Sequence, residues 1–149
     1  MISNKKILLD VFQTGEEMRR LVCCYWSDLG AWLRVPFIQY FNFVCCLPYA
    51  EDPEDCETVS RPRYTLNPAY RPRDCDDKSV LIASWLHGNG LPCRFIAVST
   101  QDSRELNHVF VEASGGLDLD ATYPEYRNLL GKYPYNKEVT YREPLTRFF

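Results

Sequence analysis

Apolar positions change their spacing along the chain, and each change predicts a different element. Met18, Leu21, Val22 and Tyr25 recur at three- and four-residue steps, which predicts an amphipathic helix running to about Trp26. Ahead of it, Thr14-Gly-Glu-Glu17 has the form of a capping box, and Lys5 to Phe12 reads as a further helical turn or two. Ala31 to Val44 is apolar with aromatics at irregular intervals, a pattern expected of a helix mixed with a buried strand. Val80, Leu81, Ala83, Ser84, Trp85 and Leu86 predict a helix too apolar to be one-sided, central to the core and ended by Gly88-Asn-Gly90. Arg94 to Ser99 and His108 to Ala113 read as strands. In the second, His108, Phe110 and Glu112 alternate with Val109, Val111 and Ala113. Ser114-Gly-Gly116 is a hairpin signal, and Leu117 to Ala121 a third strand returning beside the second.

Between Leu47 and Arg73 the periodicity stops. Five of the ten prolines fall there, and proline at that density blocks helix and central strand alike. An extended connection packed over the surface is expected. Its acidic run, Glu51 to Glu57, is the expected salt-bridge partner of the neighbouring Arg61-Pro-Arg63 and Arg71-Pro-Arg73. After Pro124, Tyr126, Tyr133, Tyr135 and Tyr141 are scattered among charges without a period.

Composition narrows the function classes. A chain of 149 residues that is 46% hydrophobic and 25% charged closes one core, which excludes wholesale disorder. The net charge of −3 argues against a dedicated nucleic-acid binder. Arg34, Pro36, Gln39 and Asn42 interrupt the most apolar window, Ala31 to Ala50, so no membrane span is expected. The apolar run at the N-terminus stops at Asp10, too short for a secretion signal. Seven cysteines without a Cys-x-x-Cys pair, and only two histidines, argue against a zinc site, and no other metal set is visible. Outside one candidate, the cysteines are expected to be small buried apolar residues in a reducing compartment.

That candidate is Cys75. Asp74 is the expected N-cap of the central helix, which places Cys75 in its first turn, where amide donors and the helix dipole favour a thiolate and can hold an oxyanion. Asp76 and Asp77 oppose the thiolate and Lys78 offsets part of their charge, so helix terminus and His108 are expected to dominate. His108 opens a strand and Asp120 lies near the end of the next strand of the hairpin, within reach of orienting an imidazole. Asp118, two residues away, is the rival orienting carboxylate.

Asp74-Cys-Asp-Asp-Lys-Ser-Val-Leu-Ile-Ala-Ser-Trp-Leu, Gly90-Leu-Pro-Cys-Arg-Phe-Ile-Ala-Val, His108-Val-Phe-Val-Glu and Leu119-Asp-Ala-Thr-Tyr-Pro124 together resemble the transglutaminase-like cysteine hydrolase superfamily. The likeness spans roughly 30 to 125 and is most similar to small members encoded by bacteriophages and prophages. It implies a papain-like α+β fold, with the helix of Cys75 packed on an antiparallel sheet that presents His108 and Asp120. The implied chemistry is acyl transfer through a thioester, whether proteolysis, amide hydrolysis or transfer to an amine, with no cofactor or metal. The implied partners are a protein or peptide substrate and other phage structural proteins; a catalytically silent structural or binding protein of a virus particle is the alternative. The expected location is the host cytoplasm or the virion.

Two departures stand out: Arg73 replaces the family's usual Gly, and Gly116-Leu-Asp118 replaces its usual Trp. The organisation expected is one domain over 1–149, comprising a mainly helical part (1–46), a Pro-rich connection (47–73), a catalytic-type core (74–124) and an aromatic extension (125–149).

Overall fold

A computed structural model describes residues 10–50, 59–69, 74–100, 106–122 and 139–149. Helix α1 spans Val11–Tyr25, a 3-10 segment Trp26–Arg34, α2 Phe37–Cys46, α3 Pro62–Thr65 and α4 Cys75–Gly88. Four strands follow: β1 Cys93–Thr100, β2 His108–Ala113, β3 Leu117–Leu119 and β4 Val139–Pro144. The protein is thus α+β, with a four-stranded antiparallel sheet in the order β3-β2-β1-β4.

α4 is the axis of the molecule. Ten of its residues, Asp76 to Ser84 and Leu86, are buried, because α1, α2, α3 and the 3-10 segment surround it on the sides that β1 and β2 leave open. Val80, Leu81, Ile82 and Ala83 meet Phe95, Ala97, Val109 and Val111 in the main core. Strand alternation sends Ile96, Val98 and Phe110 to the other sheet face, where they form a small cluster of their own. Beside it Arg142 pairs with Asp118 and Glu112, and Glu112 with Arg94.

Several expectations are corrected. α1 starts earlier than its period suggests, because Asp10 caps it: Asp10 Oδ1 accepts from Gln13 N–H at 2.8 Å and Gln13 Oε1 accepts from Asp10 N–H at 3.2 Å. Thr14 and Gly15 are instead buried inside the helix. Most of Lys5 to Phe12 lies outside the described residues. Ala31 to Val44 holds no strand. Pro36 cannot continue the 3-10 segment and stands as N-cap of α2, whose Tyr40, Phe41, Val44 and Cys45 are buried. Within the Pro-rich connection, Pro62 opens the short α3. Arg61 reaches across to Asp28 with two hydrogen bonds of 2.8 Å. Residues 51–58 and 70–73, with the acidic run and Arg71-Pro-Arg73, lie outside the described residues. Cys45 and Cys93 are buried, but Cys23, Cys24 and Cys46 are exposed, so the cysteines are not uniformly core residues. β4 was not legible as a strand.

Among the described residues, no helix is long and apolar enough to cross a membrane.

Candidate active site

Asp74 organises the entry of α4. Its carboxylate accepts from the N–H groups of Asp76 (3.1 Å) and Asp77 (3.2 Å), while Asp77 Oδ2 accepts from the Asp74 N–H at 3.3 Å, a reciprocal capping box. Asp77 Oδ1 also accepts from the Ser60 N–H at 3.0 Å, pinning the middle of the Pro-rich connection to the helix mouth. Cys75 is therefore the first residue of α4, half-buried. Two of the amides at the helix mouth, those of Asp76 and Asp77, are occupied by Asp74 and so are taken up by the cap.

The hairpin supplies the other two residues. Gly115 and Gly116 take φ of 96° and 86°, a left-handed turn that side chains rarely adopt, and this folds β3 back on β2 with Val111 opposite Leu119. β3 ends at Leu119, so Asp120 lies just past the strand rather than within it. His108 Nε2 and Asp120 Oδ2 are 2.6 Å apart, with both side chains buried. The second carboxylate oxygen, Oδ1, accepts from the Thr122 N–H at 3.0 Å. Asp118 is engaged elsewhere: its two oxygens take Arg142 Nη1 at 2.8 Å and Nη2 at 2.9 Å.

Helix and hairpin meet at the start of β2. The Val109 backbone amide lies near enough to the Cys75 thiol to favour its charged form, and the charge of Asp120 opposes it. One turn further along α4, Ser79 Oγ donates to the Val109 carbonyl at 3.4 Å. The electrostatic balance runs opposite to the expected thiolate. Burial pushes the Cys75 thiol well above the usual cysteine range, the charges of Asp76, Asp74 and Asp120 push it the same way, and the Val109 amide opposes them. Asp76 Oδ1 stands 3.9 Å from the sulfur, placed to accept from the thiol. The dipole of α4 is countered here by the carboxylates that cap it.

Sequence reasoning underrated two participants. Thr122 closes the turn that holds Asp120, a role signalled by the Asp-x-Thr spacing. Lys78 is 1% exposed and donates from Nζ to the carbonyls of Cys45 (3.3 Å) and Ala121 (3.4 Å). The lack of a polar face on α4 was the available signal, since it implies that charged positions are buried too. Arg73 lies outside the described residues. Among the described residues, no group of three or more His, Cys, Asp or Glu is arranged to hold a metal ion.

Comparison with known proteins leaves this geometry to speak for itself: no protein-family model, no curated protein and no solved structure matches the chain.

Proposed function

We propose that the protein is a thiol-dependent acyltransferase or amide/peptide hydrolase working through Cys75, His108 and Asp120, with a papain-like core of the transglutaminase-like kind. The observation that carries the reading is the buried 2.6 Å pair of His108 and Asp120, set at the start of β2 where Ser79 of the Cys75 helix bonds the Val109 carbonyl. Nε2–H of His108 donates to Asp120, so Nδ1 is the nitrogen that exchanges a proton with the thiol. Because the thiol is held neutral, it is deprotonated as it attacks, with His108 as general base. The sulfur adds to the acyl carbon, the proton passes to Nδ1, and the Cys75 N–H donates to the oxyanion. Collapse expels the amine, which takes the proton from His108, and leaves a thioester. Water or a second amine then attacks, delivering its proton to His108 and releasing Cys75 as the thiol. The substrate class is a protein or peptide carboxamide.

The raised Cys75 thiol favours a second reading, a catalytically silent structural or binding protein of a virus particle. p-Nitrophenyl acetate separates the two. The enzyme reading expects a stoichiometric p-nitrophenolate burst and an acetyl group on Cys75 by peptide mass spectrometry. Cys75→Ala abolishes both, and Asp120→Asn slows the burst about 10²- to 10⁴-fold, the range of general-base effects. Asp118→Asn leaves the burst rate unchanged, because Asp118 serves Arg142. A Cys75→Ala protein that acylates at the wild-type rate overturns the reading and supports the silent one.

A further inference from the structure

We infer that Lys78 is a positioning residue that ties the Asp120 carboxylate to the helix bearing Cys75; the inference rests on the triad reading above. Three observations lead to it. Lys78 lies three residues beyond Cys75 on α4, so any constraint on its ammonium is referred to the same helical turn as the sulfur. Its Nζ reaches two carbonyls from separate elements, Cys45 in the last turn of α2 and Ala121 immediately after Asp120. Finally, the Asp120–Thr122 turn is held from both ends: the Thr122 N–H fixes Oδ1 of Asp120, and Lys78 fixes the intervening carbonyl.

Asp120 lies past the last paired residue of β3, so the sheet ladder does not itself fix its backbone. An orienting carboxylate must hold its place closely if the imidazole is to face the thiol. A buried ammonium is a costly way to satisfy a carbonyl, since desolvation penalises the charge. A neutral donor or an apolar contact would serve packing alone as well. A lysine here is accounted for by its reach and by several donors on one atom, which let α2 and the hairpin turn share a single fastening point on α4.

Lys78→Met keeps the length and apolar stem of the side chain and removes its donors. Three readouts are compared in wild type, Lys78→Met and Asp120→Asn: the pH profile of Cys75 acylation by p-nitrophenyl acetate, hydrogen-exchange protection of the Thr122 amide, and protection of the α4 core amides. The expected result for Lys78→Met is an acylation rate at least about tenfold lower, in the direction of general-base loss. Its pH midpoint should be displaced the same way as that of Asp120→Asn. Thr122 protection should fall while the α4 amides keep theirs.

A Lys78→Met profile that superimposes on wild type while Asp120→Asn is shifted overturns the role of Lys78 and leaves the triad standing. Loss of rate with an unmoved midpoint and weakened α4 protection marks a packing role only and also overturns it. An Asp120→Asn profile identical to wild type sinks the triad reading itself. Should Lys78→Met not fold, Lys78→Gln, one atom shorter and so unable to span both carbonyls, carries the same comparison: a wild-type midpoint overturns the proposal and a displaced one supports it.

Discussion

Asp76 Oδ1 faces the Cys75 sulfur at 3.9 Å, so the candidate nucleophile rests against the carboxylate of its own chain neighbour. A helix N-terminus ordinarily lowers a thiol pKa, but here burial, and after it the neighbouring carboxylates, outweigh the dipole. In the proposed mechanism the proton rests on sulfur until His108 removes it.

Removing that charge should wake the thiol. Asp76→Asn lowers the Cys75 pKa, and each unit of lowering raises the thiolate fraction about tenfold at a pH below the pKa. Iodoacetamide labelling near neutral pH, followed peptide by peptide, should show Cys75 in the wild type reacting more slowly than the exposed Cys23, Cys24 and Cys46. In Asp76→Asn it should react about threefold faster or more. Equal Cys75 rates in both proteins would show that Asp76 does not govern the thiol.

Asp77 makes stability fall as pH rises. Burial, then the charge of Asp74 and the hydrogen bond between the two side chains, raises its pKa well above the usual carboxylate range, against the Ser60 and Asp74 amides that lower it. Between the ordinary value near 3.9 and the raised native value, the native state holds a proton that the unfolded state has released. The stabilisation is therefore complete below about pH 4 and is lost progressively as pH climbs towards the native pKa. Urea titrations at pH 4.5 and 7.5 should give a wild-type minus Asp77→Asn difference that declines with pH. A pH-independent difference would contradict the assignment.

Gly15 marks where α1 touches the chain after β4. A Cβ there would lie 2.7 Å from Leu145 Cβ, which is anchored because the Leu145 N–H donates to the Phe95 carbonyl at 2.9 Å. Gly15→Ala should therefore cost about 1–3 kcal/mol by overpacking, despite alanine's better helix propensity. Chemical denaturation with an unchanged m-value measures it, and a stabilised Gly15→Ala would mean that the two segments yield.

Much of this molecule is readable from local pattern. The all-round apolarity of residues 80–86 announced a central helix, Asp74 announced its cap, and alternation in His108 to Ala113 assigned the two sheet faces, because each depends on neighbours within a few residues. β4 escaped that reading. Val139 to Pro144 carries charges and no strong alternation, and becomes a strand by pairing with β1, a contact between distant parts of the chain. The 3-10 segment and α2 were misjudged for a related reason, since buried strand and buried helix share an apolar signature until packing chooses.

Chain order and residue type determined which side chains make up the proposed acyl-transfer site: a cysteine at a capped helix start, a histidine opening a strand, and a carboxylate beyond a hairpin. Three-dimensional packing decided how they behave. It gave Asp120 to His108 and Asp118 to Arg142, although both carboxylates lie on the same strand face by alternation. It also turned Asp76 towards the sulfur and buried Lys78 against the Asp120 turn. Hydrogen-bond pairing and desolvation depend on what surrounds a group in space, and residues far apart in the chain supply most of those surroundings.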